Sequence, residues 1–316
     1  MSGQKTKPKE RKLIFLGVLL VLMLFALFQY LWYGEGPDTI FLTRPRYLFS
    51  IYGSDKLGPL NQPVSVATVG NRLFVADSGN ARIAVFDTRG RPLFSFKQAG
   101  KDKLKYPSYL AIKNDRLYVS DSGLGSIFVF DTDGQYIRRF TPKADEKFSW
   151  SPLALTFDDN GNLFVTDKGY NRVLKFNNSS RLVLDFGKTA VVNKVNEKLS
   201  HFYFANGLAL DNDNNIIVSD SNNRRIQVFD SNGKFTKLIP VAGLPRGIIY
   251  TMGKLFVVNG FKHQVEAYNL SGKMLFSFGE IGSAKGQFQY PNDIKFARRH
   301  FYIVDSGNNR VQVWMY

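Results

Sequence analysis

The sequence predicts an all-β fold, a six-bladed β-propeller of four-stranded blades, preceded by a single transmembrane α-helix. Three observations lead to this prediction. A short polar motif recurs along the 316-residue chain at intervals of roughly 45 residues. Alternating apolar segments, typical of β-strands, flank every copy of the motif. One uncharged apolar segment near the N-terminus is long enough to cross a bilayer.

The motif is Asp-Ser-Gly-Asn-x-Arg, and its copies match this pattern to different degrees. The first residues of the six copies are Asp77, Asp121, Asp167, Asp220, Asn259 and Asp305. The arginines that follow in four copies are Arg82, Arg172, Arg225 and Arg310. The second copy has Ser126 where arginine is expected, and the fifth has Asn259 and Gln264 in place of Asp and Arg. Because each copy marks one structural unit, we expect six units.

Each unit contains four predicted strands, as the first unit shows. A short strand begins Pro63-Val-Ser-Val, and a second, Arg72-Leu-Phe-Val-Ala, leads into the motif. A third strand, Arg82-Ile-Ala-Val-Phe, follows the motif, and the hairpin turn Asp87-Thr-Arg-Gly90 leads to the fourth, Pro92-Leu-Phe-Ser-Phe96. The alternation predicts strands, and Gly or Asn in the turns supplies positive φ. Four strands in each unit predict one propeller blade per unit.

The last unit has no fourth strand of its own, because the sequence ends at Tyr316, directly after the third strand of that unit. The segment Arg46-Tyr-Leu-Phe-Ser-Ile-Tyr52 resembles fourth strands elsewhere, such as Met274-Leu-Phe-Ser-Phe278, yet it precedes the first unit. We therefore expect this segment to pair antiparallel with residues 311–315. Such pairing covers two sheet edges and closes six blades into a ring.

The order of strands, motif and turns resembles a known repeat. A strand, then Asp-Ser-Gly-Asn-x-Arg, a further strand and Asp-x-x-Gly is similar to the NHL repeat. The resemblance covers residues 46–316, and the first, fourth and sixth copies match best. It implies a six-bladed propeller used mostly as a binding platform.

Two roles are open for the motif. In the structural role, the Asp accepts N–H bonds from the turn that follows it, and the Arg reaches a carboxylate or carbonyl groups of an adjoining strand or blade. In the functional role, the Asp residues form a ring that binds cations. The structural role is favoured because all copies occupy the same turn, where local partners satisfy both side chains.

The N-terminal segment predicts a membrane anchor. Residues 13–33 contain no charge, and a helix of this length spans roughly 31 Å. Residues 1–12 are rich in Lys and Arg, so the positive-inside rule makes them a cytoplasmic tail. Residues 34–45 then form a linker, and residues 46–316 lie on the extracytoplasmic side of the cell membrane. A cleaved signal peptide is the alternative, but no small-x-small site follows the apolar segment.

Composition restricts the chemistry and the partners. The absence of cysteine excludes thiol nucleophiles and cysteine–zinc sites, and in an exported domain it favours a bacterial or archaeal cell surface. With 42 Lys and Arg against 26 Asp and Glu, the net charge is +16. This charge favours an acidic protein or an anionic cell-surface polymer as partner, with a merely solubilising surface as the alternative. Nucleic acid also suits the charge, but the predicted topology disfavours it.

The connections between blades interleave basic and aromatic residues, and with two positions at the starts of innermost strands they form a candidate binding face. Its residues are Lys101, Lys103, Lys105, Tyr106, Lys147, Trp150, Lys198, Tyr203, Arg246, Tyr290 and Asn292. Long connections on a rigid ring commonly carry recognition, although such aromatics also fill gaps between blades. Because the linker enters the ring on the opposite side, we expect this face to point away from the membrane.

The sequence predicts a non-catalytic binding or scaffold module for a protein, a peptide or an anionic polymer, with no cofactor. The alternative is a metal-dependent lyase or a lactonase-like enzyme at the axial mouth of the propeller. Its residues would be Asn206, Arg246, Asn292 and Asp293.

Comparison with propeller enzymes disfavours this alternative. Peptide-amidating lyases, which resemble NHL propellers, need axial histidines for zinc. Neither His201, His263 nor His300 lies on a predicted innermost strand. Lactonase-like propellers bind calcium through axial Asp, Asn and Glu, which Arg246 would oppose. Streptogramin-type lyases need a His and Glu pair that has no evident place in this sequence.

Overall fold

The computed structural model describes residues 17, 19–28, 44–189 and 199–316. The chain divides into two compact units, Met1–Thr43 and Arg44–Tyr316. In the first unit, residues 17 and 19–28 are helical and exposed. Within the described part of the chain, no helix is both long and apolar enough to cross a membrane. The predicted tail, residues 13–16, 18 and 29–33 of the predicted anchor, and residues 34–43 of the linker lie outside the described residues, so the anchor stays a prediction.

The described residues of the second unit form six antiparallel four-stranded sheets, which are the predicted blades. The strands of blades 1 to 3, from the innermost outwards, are Pro63–Val69, Arg72–Asp77, Arg82–Asp87 and Pro92–Phe96; Pro107–Lys113, Arg116–Asp121, Ser126–Asp131 and Tyr136–Arg139; and Pro152–Phe157, Leu163–Asp167, Arg172–Phe176 and Leu182–Phe186. Those of blades 4 to 6 are Ala205–Leu210, Ile216–Asp220, Arg225–Phe229 and Phe235–Pro240; Pro245–Thr251, Lys254–Asn259, Gln264–Asn269 and Met274–Phe278; and Pro291–Ala297, His300–Asp305, Arg310–Met315 and Arg46–Ile51. Innermost strands of consecutive blades contact each other around the whole ring.

Blade 6 confirms the predicted closure. Arg46–Ile51 pairs antiparallel with Arg310–Met315, so that Arg46 lies opposite Met315 and Ile51 opposite Val311. The ring of Tyr47 packs edge-to-face on Trp314, with 5.9 Å between centroids. An N-terminal strand therefore completes the last sheet.

The hydrophobic core lies between neighbouring blades. Aromatic rings from successive blades meet there at 4.6 to 4.8 Å between centroids: Phe96 with Phe130, Phe186 with Phe229, and Phe256 with Phe301. The hairpin glycines fit this packing. Gly134 has a φ of +81°, and a Cβ there would lie 2.6 Å from the Phe96 ring of the preceding blade. Only glycine satisfies both the turn and this close approach.

The motif turns and the connections between blades lie on one face of the ring, which we call the connection face. Three of the turns are short 3₁₀ helices, namely Ser78–Asn80, Ser221–Asn223 and Ser306–Asn308. Short strand pairs order three of the connections: Gly53–Ser54 with Gly58–Pro59, Gln98–Ala99 with Asp102–Lys103, and Lys188–Thr189 with His201–Phe202. The opposite face, which we call the hairpin face, carries turns such as residues 87–90.

Candidate binding face and axial mouth

The motif ties each blade to the connection that leads into it. In blade 1, Asp77 Oδ1 accepts a hydrogen bond from the backbone N–H of Asn61 at 2.7 Å, and Oδ2 accepts one from Arg82 Nε at 2.6 Å. Arg82 also donates to the carbonyl oxygens of Leu57 and Pro59. Asp77 is fully buried, so its charge depends on these donors.

The same arrangement recurs around the ring. The backbone donors to the first motif residue are Lys105 and Tyr106 in blade 2, Ser151 in blade 3, Tyr203 in blade 4, Leu244 in blade 5 and Gln289 in blade 6. The ion pairs that match Asp77 and Arg82 are Asp167 with Arg172, Asp220 with Arg225, and Asp305 with Arg310, at 2.7 to 2.9 Å. Backbone N–H groups of the preceding connection thus donate in every blade. The following turn, which the sequence suggested, donates through backbone N–H groups in blades 2, 3 and 5. In blades 1, 4 and 6 it donates through the side chains of Asn80, Asn223 and Asn308.

Side chains of the motif turns also reach the next blade. Ser78 Oγ donates to the carbonyl of Pro107 at 2.5 Å, and Ser306 Oγ donates to that of Pro63 at 2.6 Å. Each of these prolines begins the innermost strand of the following blade. The Asp, Arg and Ser side chains of the motif are therefore engaged in the scaffold, which supports the structural role over a ring of cation sites.

The structure places the predicted face residues in different surroundings. The exposed ones are Lys101, Lys103, Lys105, Lys147, Tyr106, Tyr203 and Tyr290. Trp150 is half-buried and packs against Phe140, Phe148 and Phe176, so it fills a gap in the core. Lys198 lies outside the described residues.

Sequence reasoning missed several exposed hydrophobic residues on this face, among them Tyr170, Phe204, Phe261 and Ile281. Tyr170 and Phe261 stand in motif turns, with exposed fractions of 52% and 66%. In the best copies these turns contain small or polar residues. Tyr170, for example, takes the place of Asn80, whose Nδ2 donates to Asp77. A departure from the repeat was therefore the signal that could have identified them.

Three exposed aromatic residues immediately precede innermost strands of alternate blades, and we call them the aromatic rim: Tyr106, Phe204 and Tyr290. Phe204 and Tyr290 have positive φ values of 66° and 48°, which are unfavourable for bulky residues. Side chains of the preceding blade hold both, since Asn171 Oδ1 accepts the Phe204 N–H and His263 Nδ1 accepts the Tyr290 N–H. Strained backbone that is held in this way is common at binding sites.

The second residues of the six innermost strands surround the axis at the connection face, and we call them the axial mouth: Val64, Ser108, Leu153, Asn206, Arg246 and Asn292. Arg246 Nη1 donates to Asn292 Oδ1 at 3.1 Å, and Asn292 Nδ2 donates to the Val64 carbonyl at 2.6 Å. Asn206 is 8% exposed, and its Nδ2 has no hydrogen-bond partner among the described residues. Burial lowers the pKa of Arg246, and the Tyr106 hydroxyl opposes that shift.

Asp293, one residue further along its strand, belongs to a buried network rather than to the mouth. Its Oδ2 accepts a hydrogen bond from Ser65 Oγ at 2.6 Å, and Lys295 Nζ lies 3.8 Å from Oδ1 and 3.2 Å from the Tyr109 hydroxyl. Burial opposes the charge of Lys295, yet Asp293 and Tyr109 together raise its pKa. Burial and Asp293 raise the pKa of Tyr109 to about 12. Both shifts lead away from neutrality, where a general acid or base operates.

The far end of the axis, towards the hairpin face, contains a cavity of about 360 Å³. Apolar residues at the ends of the innermost strands form most of its lining. Two lysines also line it, and both are engaged: Lys295 in the buried network, and Lys113 with the Asp158 carbonyl at 2.8 Å. This cavity therefore offers few free polar groups for chemistry.

The three histidines lie in separate places, none of them on an innermost strand, as the sequence predicts. His201 lies in the connection before blade 4, and His263 lies in the motif turn of blade 5. His300 begins the second strand of blade 6, with Nδ1 2.7 Å from the Arg298 carbonyl. Across the described ranges, no group of three or more His, Asp or Glu side chains is arranged to hold a metal ion.

Comparison with known proteins identifies the repeat. The NHL repeat family matches residues 60–86, 202–229 and 288–314, which contain the first, fourth and sixth motifs. The chain contains NHL repeats. These three NHL repeats are also the ones that best match the motif by inspection of the sequence.

The chain is also similar in sequence to a curated enzyme. Over 188 residues the NHL-repeat chain is 29% identical to peptidyl-glycine alpha-amidating monooxygenase of Mus musculus. The match covers 55% of this chain and 19% of that protein, so the chain spans only a small part of the relative's length.

Solved structures share the fold at low sequence identity. Virginiamycin B lyase from Staphylococcus aureus has a TM-score of 0.59 and 13% identity, covering 86% of this chain and 99% of the lyase. A putative gluconolactonase has a TM-score of 0.64 and 13% identity, covering 86% of this chain and 97% of the other. At these identities the likeness shows the propeller fold alone.

Proposed function

We propose that this NHL-repeat propeller is a non-catalytic binding or scaffold module, anchored in the cell membrane as a single-pass protein by residues 13–33. The propeller then lies on the extracytoplasmic side, and its connection face points away from the membrane. That face binds a protein, a peptide or an anionic cell-surface polymer. Nucleic acid is disfavoured as a partner by this topology.

The aromatic rim is the observation that carries this proposal. Tyr106 and Tyr290 are 41% and 61% exposed, although rings of this size are usually covered by packing. Exposed aromatic side chains beside lysines are typical of recognition surfaces. The lysines Lys101, Lys103 and Lys105 lie in the same connection as Tyr106 and supply a positive field for an acidic partner.

Site-specific photocrosslinking in native membranes tests the proposal. Benzoylphenylalanine replaces Tyr106 or Tyr290 on the connection face, and Met252, which is 45% exposed in a turn of the hairpin face, provides the control position. We expect the same adduct from both rim positions and none from Met252. An equal adduct from Met252, or no adduct from any position, would contradict the proposal.

A second candidate is a metal-dependent lyase or lactonase-like enzyme at the axial mouth, and the similarity to an amidating monooxygenase favours an enzymatic role in general. Its polar groups would be Asn206, Arg246, Asn292 and Asp293. The burial of Asp293 beside Lys295 argues against this candidate, because that carboxylate is already paired. Elemental analysis of the purified chain separates the two, since a stoichiometric, tightly bound divalent metal supports the enzyme.

A further inference from the structure

We propose that the axial mouth is a carboxylate-binding site, in which Arg246 and Asn206 receive an acidic side chain of a partner peptide. The inference rests on the proposed function, because it names the chemistry that the connection face recognises. The mouth and the rim then have different roles. The mouth binds the charged side chain of the partner peptide, and the aromatic rim binds the rest of that peptide.

Arg246 differs from the motif arginines in having no carboxylate. Arg82, Arg172, Arg225 and Arg310 each form an ion pair with an Asp in their own blade. Arg246 forms one hydrogen bond, to Asn292, and no ion pair among the described residues. Its guanidinium therefore retains donors for a ligand.

The position of Arg246 is nevertheless well defined. Nη1 is held by Asn292, and a Cβ on Gly260 would lie 3.0 Å from Nε and 3.2 Å from Cδ. The side chain therefore packs against the bare backbone of Gly260. An arginine held at two points loses little conformational entropy when it binds a ligand.

Asn206 supplies the second donor. Its Nδ2 is buried and unpartnered within the described part of the chain, which is unfavourable in the free protein. The strands of Asn206 and Arg246 are in direct contact, since a Cβ on Gly207 would lie 2.1 Å from the Arg246 carbonyl oxygen. Because Nδ2 is enclosed, the amide has to turn towards the mouth to donate to a ligand oxygen, and that hydrogen bond would remove the penalty of the unpaired amide.

The combination of groups selects the ligand. Guanidinium and amide N–H groups are donors, and a planar carboxylate offers two acceptor oxygens and a negative charge. The aromatic rim surrounds the mouth with surface suited to the backbone and side chains of a peptide. Nearby lysines attract acidic segments over a longer range.

Saturation-transfer NMR with the full-length chain in nanodiscs tests the inference, because it detects millimolar affinities. The probe is an N-acetylated, C-amidated peptide of sequence Gly-Tyr-Glu-Tyr-Gly, and its Gln counterpart is the neutral control. We expect the Glu peptide to bind at least tenfold more tightly than the Gln peptide. Arg246→Gln should remove this preference, whereas Arg224→Gln, which deletes an exposed charge from the same face, should not.

A second variant separates binding from folding. Asn206→Leu copies blade 3, where Leu153 occupies the same position. It removes the unpaired donor, so we expect weaker binding of the Glu peptide together with an unchanged or higher melting temperature. A lower melting temperature with unchanged binding would show that Asn206 is structural and would overturn its assignment.

Other outcomes are equally decisive. Equal binding of the two peptides, no binding of either, or unchanged binding by Arg246→Gln would overturn the site. A third peptide, the Gln peptide with a free C-terminal carboxylate, tests the kind of carboxylate. If it binds more tightly than the amidated Glu peptide, the assignment to an acidic side chain is overturned. If Arg246→Gln binds the Glu peptide unchanged but still forms the crosslink from position 290, the carboxylate site is wrong and the binding module is supported. The two failures are therefore distinguishable.

Discussion

At the scale of single residues, blade 5 keeps the polar pairing of the motif but exchanges the partners. In blade 4, Asp220 Oδ2 accepts a hydrogen bond from Gln227 Nε2 at 3.0 Å. In blade 5, Asn259 Nδ2 donates to Glu266 Oε1 at 3.0 Å, so the carboxylate lies on the third strand and the amide on the second. Gln264, which replaces the motif arginine, also donates to Glu266. The fifth copy is thus a rearranged form of the same buried network.

This exchange predicts strong coupling between two substitutions. Asn259→Asp alone places two buried carboxylates together, and we expect destabilisation by about 1 to 3 kcal/mol because both are desolvated and like-charged. Adding Glu266→Gln restores the arrangement of blade 4 and should recover part of this loss. Urea unfolding of the two single variants and the double variant measures the coupling, which we expect to be about 1 to 2 kcal/mol. Strictly additive effects would contradict the exchange.

At the scale of elements, two sets of contacts close the ring, one at its outer edge and one near its axis. On the outside, Arg46–Ile51 completes the sheet of blade 6. Near the axis, Ser306 donates to the Pro63 carbonyl, and Asn309 Oδ1 accepts the Gln62 N–H, so blade 6 is also joined to blade 1. The outer strand covers an edge that would otherwise be exposed, and the inner bonds set the position of the neighbouring blade.

Truncation tests the contribution of the outer strand. A chain that begins at Arg46 keeps the strand, and one that begins at Gly53 lacks it. We expect the shorter chain to lose cooperative thermal unfolding, because Arg310–Met315 becomes an open edge and Trp314 loses its contact with Tyr47. Scanning calorimetry and tryptophan fluorescence provide the measurement. Equal melting of the two chains would show that the inner contacts suffice for closure.

At the scale of the whole molecule, the propeller presents two unlike faces. The connection face combines exposed aromatic residues, exposed lysines and the axial mouth. On the hairpin face, the axis ends in a cavity whose lysines already form hydrogen bonds within the protein. The proposed topology directs the connection face away from the membrane. The chain contains no cysteine, so a single introduced thiol reports on the side of the membrane without background labelling.

Cysteine labelling tests the proposed topology. We expect a membrane-impermeant maleimide to label Lys103→Cys on intact cells, because this residue is exposed on the connection face. Ser2→Cys, in the predicted cytoplasmic tail, should react only after permeabilisation, and the unmodified chain should remain unlabelled. The reverse pattern would place the propeller inside the cell and remove the argument against a nucleic-acid partner.

Much of the scaffold could be predicted because its determinants are local and repeated. Alternating apolar residues specify strands, and the motif that begins with Asp77 occurs six times, so one unit predicts the others. Individual side-chain environments could not be predicted in this way. Trp150 is an aromatic residue in a connection between blades, where the sequence predicts a binding surface, but it packs into the core. Phe261, in contrast, is exposed where the repeat departs from its pattern. Burial depends on neighbouring blades, which the local pattern does not describe.

The sequence by itself determined the NHL repeats, the number of blades and the strand that closes the ring, because each rests on short-range patterning and turn chemistry. Only the tertiary structure decided that the side chains of the motif hold the scaffold together, and that Asp293 belongs to a buried network and not to the axial mouth. Asn206, Arg246 and Asn292 occupy different blades, and ring closure places them at equivalent positions around one opening. The repeat predicts these equivalent positions, but which of their polar groups are engaged depends on contacts between blades that only the folded chain forms.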